Sequence, residues 1–507
     1  MMENRQLMIV EVSQKQAYIF ASNKLQDNIK NSEDIVRVTG SEYFIQNCAG
    51  LYDETENMVY SGGGHTVLCF SGEDAAKKFA GKLSRSVMRD YPDMELFIKT
   101  IPYSYEASPG ENLKELTKQL EKKKSLRKTS FHQGTFGVEK LSSFNMKPVR
   151  VTDETVKEIK PDRLIPQGFV SAKKFEDLGG KKGESNFIAV VHIDGNSMGK
   201  RVEALYERLN NAGINWDGYK KQIREFSEGV DKDFKESYRE MALKVGEAVS
   251  AGKLSELILK NNMFPVRRII TSGDDVCFVA EGRIGIECAR IFIECLRDKI
   301  NPVDQASYEA CAGVAIVHQK YPFYLAYELA ESLCSGAKRF GAEIDPENNG
   351  AKLSSIDWHI SFGELEGSVE EIRQQYLTDD GKNLELRPFI VGGDEMVVNK
   401  EKVRLYDNFR KLYSKISTKD DGYAHSKLKQ LRPILKQGED ASRIYLKYNR
   451  IDNIARFSYV DIFEEIDIGR IGTGQVQEGR IFVNTTDGKE RSILFDAIEI
   501  MDNYIQI

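Results

Sequence analysis

Short apolar runs alternate with amphipathic helical stretches over the first 150 positions. Gln6–Val12, 66–70 and 95–101 are runs of strand length, and Glu73–Asp90 repeats its apolar residues at helical spacing. That alternation predicts an α/β layer. A second stretch repeats the theme, with strands expected over 187–194, 266–272, 276–280 and 311–318 and helices over 216–251, 283–298 and 324–338. A strand, a long helical excursion, a tight hairpin, then helix, strand and helix is the order of a palm-type, ferredoxin-like unit. Beyond about residue 365 the pattern turns helical, with helices expected over 401–416, 425–448 and 492–504. The expected fold class is therefore α/β (α+β): two ferredoxin-like palm domains at 1–150 and 186–365, a linker at 151–185, and a mainly helical C-terminal domain at 366–507. The linker carries the Gly/Lys-rich DLGGKKGES at 177–185.

The two α/β regions read as distant repeats. YSGGGHTVLCF (60–70) aligns with ITSGDDVCFVA (270–280) at an offset of 210, each a strand, a turn of small residues and a strand. The second copy has acids at the turn and the first does not, as expected of duplication with divergent chemistry.

Composition narrows the function. The 507 residues are 41% hydrophobic and 30% charged, which excludes disordered and fibrous classes, and their number implies about three domains. Lys plus Arg is 72 against 78 Asp plus Glu, a net charge of −6, so no global basic field marks a dedicated DNA-binding protein. The local exception is 114–128, with seven basic and two acidic residues. It reads as a solvated helix face, or as a phosphate-backbone contact. No apolar stretch has membrane-spanning length and no signal peptide precedes the first strand, so a cytoplasmic protein without a membrane partner is expected. Seven cysteines without a CxxC pair suit reduced, buried thiols.

The candidate chemistry centres on Ser272-Gly273-Asp274-Asp275, set between two apolar runs. Small residues beside acids also make an ordinary hairpin turn. The functional reading gains from Asp194, the sole acid closing the apolar run of FIAVVHIDGNSMGK, just before Gly195-Asn196. If these strands are neighbours, three carboxylates meet at one sheet edge, and like charges so close need a cation. Such a set suits phosphoryl or nucleotidyl transfer with two Mg²⁺ or Mn²⁺ ions. His192, two residues before Asp194, would point to the same sheet face, lining the site or serving as a satisfied structural histidine.

FIAVVHIDGNSMGK, RRIITSGDDVCFVA (267–280) and CAGVAIVHQKYPFYLAYELAESLCSGAKRFG (311–341) together resemble the second palm of the large polymerase/cyclase-like subunit of type III CRISPR effector complexes. EVSQKQAYIFASNKLQDNIKNSEDI (11–35) and YSGGGHTVLCF resemble that family's first palm, which is usually without catalytic acids. In that family the palm is related to GGDEF cyclases and makes cyclic oligoadenylates from ATP. The resemblance implies ATP as substrate, metal held by Asp194 and Asp274 with Asp275 assisting, and catalysis by the same three acids. It implies close backbone approach to the nucleotide at Ser272 and Gly273, and nucleotide contacts by Gly195, Asn196 and Ser197. Lys338 falls where palm cyclases place a triphosphate-contacting lysine; a solvated lysine at a helix end is the alternative. The partners implied are RNA or CRISPR-type effector subunits and a downstream effector activated by a cyclic nucleotide, the biological role being antiviral signalling.

The sequence departs from the family pattern in three ways. Its six histidines include no His-Asp dipeptide, so the family's HD nuclease and its DNA cleavage are not expected; its zinc-binding cysteine cluster is missing; and Ser272 stands for the usual first glycine of the hairpin. A second GGDEF-like string, Val391-Gly392-Gly393-Asp394-Glu395, lacks a preceding strand that ends in an acid, and reads as a surface turn. Two rivals remain: a non-catalytic palm-pair scaffold binding RNA or partner proteins, and a template-dependent polymerase. The polymerase is disfavoured by the missing fingers- and thumb-like insertions.

Overall fold

A computed structural model describes residues 4–126, 161–180, 186–362, 367–417, 424–451 and 481–507. The first unit is a four-stranded sheet of β1 (Gln6–Val12), β2 (Met58–Gly62), β3 (His65–Phe70) and β4 (Leu96–Pro102), ordered β2-β3-β1-β4. The second begins β5 (Phe187–Gly195), β6 (Val266–Ser272), β7 (Asp275–Glu281) and β8 (Ala310–His318), ordered β6-β7-β5-β8. The two orders are the same, and so are the antiparallel pairings within them. The hairpins coincide residue by residue at the offset of 210: Gly62 faces His65 as Ser272 faces Asp275. These are two palm domains of one plan.

The second sheet continues past β8. β9 (Leu353–Ser361) runs parallel to β8, and β10 (Phe389–Gly393) closes that edge antiparallel to β9. Neither strand is legible in the pattern. LSSIDWHIS alternates apolar with polar residues, yet all nine are buried, because the polar ones have internal partners. Ser355 Oγ donates to Ala337 O, and Asp357 accepts from Arg373 at 2.6 Å. A boundary at 366 thus falls between two strands of one sheet. Gly392-Gly393 is correspondingly not a surface turn: it ends β10, and Asp394 caps the short helix Glu395–Val398 by accepting from Met396 N.

Both faces of the palm sheets are covered. Leu7 and Ile9 of β1 pack in one core with Ala189, Val191 and Ile193 of β5, while Met8, Val10 and Val12 share another with Ile188 and Val190. Double coverage is why these strands are continuous apolar runs instead of alternating ones. The C-terminal region is mainly helical, as expected, with differences of extent. Gly438, at φ 99°, splits the expected 425–448 helix into His425–Leu435 and Glu439–Tyr448. Helix 401–416 starts only at Tyr406, because Glu401 is non-helical. Over 492–504 the helix shrinks to Phe495–Glu499, preceded by the hairpin of β11 (Phe482–Asn484) and β12 (Glu490–Ser492). No helix among the described residues is long and apolar enough to cross a membrane. Part of the expected linker (151–160 and 181–185) lies outside the described residues.

Candidate functional site

The end of β5 and the β6–β7 turn meet at one edge of the second palm. Register pairs Asp194 directly with Asp275, and the Asp274 carbonyl accepts from Gly195 N at 3.2 Å. Gly273 holds the turn at φ 65°, the left-handed region where glycine carries no penalty. Gly195 is required for a different reason: a Cβ there would stand 3.0 Å from Met198 Cγ, 3.1 Å from Asp274 Cβ and 3.2 Å from Phe234 Cζ. A side chain at 195 would push the turn acids away from Asp194.

Lys338 arrives from the helix Phe323–Ile344. That helix lies on β8 so closely that a Cβ on Gly313 would stand 1.9 Å from Ala330 O, so glycine is obligatory there. One turn beyond Cys334, Lys338 Nζ donates to Asp194 Oδ2 at 2.6 Å and to Gly195 O at 3.0 Å. This is an ordered ion pair, not a solvated helix-end lysine. Burial disfavours its charge, but Asp194 more than compensates and raises its pKa.

The electrostatics are those of crowded carboxylates. Burial, then Asp194, pushes Asp274 up to about 6 and Asp275 up to about 7. Asp275 keeps 39% of its side-chain surface exposed, but the exposure is uneven: Oδ1 is buried and has no hydrogen-bond partner. His192 lies beneath, on the same face as Asp194 as its spacing implies, with Nδ1 3.5 Å from both Asp275 Oδ1 and Tyr327 OH. The donor set of hard oxygens, one of them orphaned, fits Mg²⁺ or Mn²⁺. Among the described residues, no three ligating side chains stand already placed around an ion.

The remaining sequence candidates separate. Ser272 sits half-buried opposite Asp275. Ser197, at φ 54°, begins the helix Met198–Asn211 without a side-chain cap. Asn196 does not face the acids with its amide: Nδ2 donates to Leu353 O at 2.7 Å and Gly350 O at 3.4 Å, bracing the strand end against the loop before β9.

Sequence reading missed a second set. In the first palm, Glu11 faces His65 across β1 and β3, at the positions of Asp194 and Asp275, and Gly63-Gly64 replaces Gly273-Asp274. Lys124, on the helix after β4, pairs with Glu11 at 2.9 Å as Lys338 pairs with Asp194. One lysine of the basic segment 114–128 is thus turned inward, and Lys123 bonds Ile98 O at 2.7 Å; Arg127 and Lys128 lie outside the described residues. Burial, then Lys15, lowers the His65 pKa to about 4, so it is neutral. Extending the 210-residue offset backward does not find Glu11, which lies 183 positions before Asp194, because the excursions after β1 and β5 differ in length. The two turns face each other: a Cβ on Gly273 would stand 3.6 Å from Gly63 N.

Residues 187–343 match the family model described as Cas10/Cmr2, second palm domain. Among solved structures, the fold is similar to a Csm1–Csm4 cassette in complex with cA3, with a TM-score of 0.56 and 13% identity over 99% of this chain and 70% of that one. A Csm1–Csm4 cassette in complex with AMPPNP matches with a TM-score of 0.52 and 15% identity over 99% and 70%. Csm1 from T. onnurineus matches with a TM-score of 0.53 and 12% identity over 98% and 69%. No curated protein matches the sequence. The chain is thus Cas10-like: in sequence over its second palm, and in fold over nearly its whole length.

Proposed function

We propose that this Cas10-like chain is a metal-dependent nucleotidyltransferase that converts ATP into cyclic oligonucleotide messengers. The observation carrying this reading is the Asp194–Asp275 pairing, with Asp274 at the adjoining turn and Lys338 against Asp194. Three acids and one lysine at a strand end are what a triphosphate and its counter-ions require.

Asp194, Asp274 and Asp275 would hold two Mg²⁺ or Mn²⁺ ions. When bound, such ions lower the pKa of the attacking ribose hydroxyl and neutralise charge growing on the α-phosphate oxygens. The chain's own residues do the positioning. Lys338 exchanges its bond with Asp194 for the triphosphate, which frees Asp194 Oδ2. Gly273 lets the nucleotide approach the backbone where a side chain would block it, and Gly195 keeps the turn acids within reach of β5. Attack by a 3′- or 2′-hydroxyl on a second nucleotide's α-phosphate releases pyrophosphate, and a final intramolecular attack on the remaining 5′ α-phosphate closes the ring and releases the last pyrophosphate. The solved Csm1–Csm4 cassettes with cA3 and AMPPNP support ligands of this class for the shared fold. By the same likeness we assign this chain a place beside a Csm4-like subunit in a type III CRISPR assembly, with its product acting on a separate effector.

The test is incubation with ATP and Mg²⁺ or Mn²⁺, with and without target RNA and partner subunits, followed by mass spectrometry. Phosphodiester products are expected from the wild type and not from Asp274→Ala/Asp275→Ala. No product under any condition, with RNA retained by the chain, would establish the scaffold reading instead.

A further inference from the structure

Lys15 opens a five-residue helix, Lys15–Ile19, immediately behind β1, and Gln14 before it adopts φ 50°. The side chain turns inward instead of running out to solvent. Its Nζ donates to Gly63 O in the β2–β3 turn, and Gly64, at φ 73°, leaves room for the stem: a Cβ there would stand 3.0 Å from Lys15 Cε. This turn is the part of the first palm that confronts the Gly273-Asp274 turn of the second. The ammonium therefore sits at the seam between the palms, bonded to the turn residue that lies against Gly273.

The charges around it agree. Burial lowers the Lys15 pKa, and Glu11, Asp275 and Asp274 oppose that effect. In return, Lys15 stands before Lys338 among the cations that restrain the rise at Asp275. An ammonium has three donors, and Gly63 O takes one. Of the nearby Glu11 carboxylate, Oε1 is already taken by Lys124 at 2.9 Å.

We propose that Lys15 is a polyphosphate-binding residue that the first palm lends to the nucleotide site of the second. The assignment rests on the nucleotide reading above and adds a residue that lies outside the segment matching the palm family. It has a signature that a turn staple would lack. Without nucleotide, a cation beside Asp274 and Asp275 repels an incoming divalent ion. With nucleotide, the same cation attracts the phosphates. Removing its charge should therefore move the two affinities in opposite directions.

The experiment measures Mn²⁺ alone, AMPPNP with Mn²⁺, and AMP with Mn²⁺ on the full chain, for wild type, Lys15→Gln and Lys15→Arg. Thermal melts accompany each variant to establish that it is folded. In Lys15→Gln, AMPPNP should bind about 10- to 100-fold more weakly, as expected for one charge-assisted hydrogen bond. Mn²⁺ alone should bind severalfold more tightly, AMP should change little, and Lys15→Arg should restore most AMPPNP binding. Unchanged AMPPNP affinity in Lys15→Gln, or an equal fall for AMP and AMPPNP, would overturn the assignment and leave the nucleotide site standing. Wild type that binds no AMPPNP would overturn both.

Discussion

Replacing Asp275 by Asn should stabilise the protein in the absence of divalent ions while abolishing its proposed chemistry. Asp275 has a folded pKa near 7, against about 3.9 in an unfolded chain. A carboxyl whose folded pKa is raised binds more protons folded than unfolded between those values. Stability is therefore lost as pH climbs from about 4 to about 7, and the loss is complete above that. A shift of about three units corresponds to about 4 kcal/mol at most, by 1.36 kcal/mol per unit. Because 39% of the side chain is exposed, solvent screening reduces this to about 2 kcal/mol. Asn keeps the shape and drops the charge. In chelator at pH 8, Asp275→Asn should thus melt a few degrees above wild type, a difference that vanishes toward pH 4. Adding Mn²⁺ should narrow the gap by stabilising the wild type, whose carboxylates bind it. The assay is a thermal melt across pH 4–8 with and without Mn²⁺. A variant that is less stable than wild type at pH 8, or a gap that does not change with pH, would refute the crowded-carboxylate account.

Three further outcomes follow from the geometry. Lys338→Ala should lower ATP turnover by at least about 100-fold with the melting temperature little changed, since the lost ion pair is partly exposed and the lost phosphate contact is not replaced. Gly313→Ala should give little soluble protein, because its methyl would lie inside the Ala330 carbonyl contact, and the adjacent Val314→Ala should cost only about 1–2 kcal/mol by urea unfolding. Arg387→Met should cost about 3–5 kcal/mol by the same measurement, because Glu385, Asp496 and Glu499 all meet that fully buried guanidinium and would be left without it.

How far the site was readable depended on how local its parts are. The hairpin acids are adjacent, Asp194 closes an unbroken apolar run, and both strands are buried on two faces, so pattern alone placed them. Lys338 was reachable only by resemblance, since nothing in Ala337-Lys338-Arg339 says that a glycine 25 residues earlier lets its helix descend onto β8. Asn196 shows the opposite failure: a polar residue beside a catalytic candidate turned out to brace a loop more than 150 residues away. β9 was hidden because its serines, Asp357 and His359 look solvent-facing until the groups that meet several of them, such as Arg373 and Ala337 O, are in place.

By itself, the sequence determined the two-palm plan, the repeated hairpins and the three acids, because strand burial and turn chemistry are set by neighbours along the chain. Only the tertiary structure decided that Lys338 and Asp194 pair, that Glu11, His65 and Lys124 repeat the site in altered form, and that Lys15 bonds the first-palm turn facing the second palm. Those relations join residues 48 to 144 positions apart, and no local pattern encodes them. The lysine pairs arise where each palm's helix packs on its own sheet, and the position of Lys15 arises where the two palms' turns lie against each other.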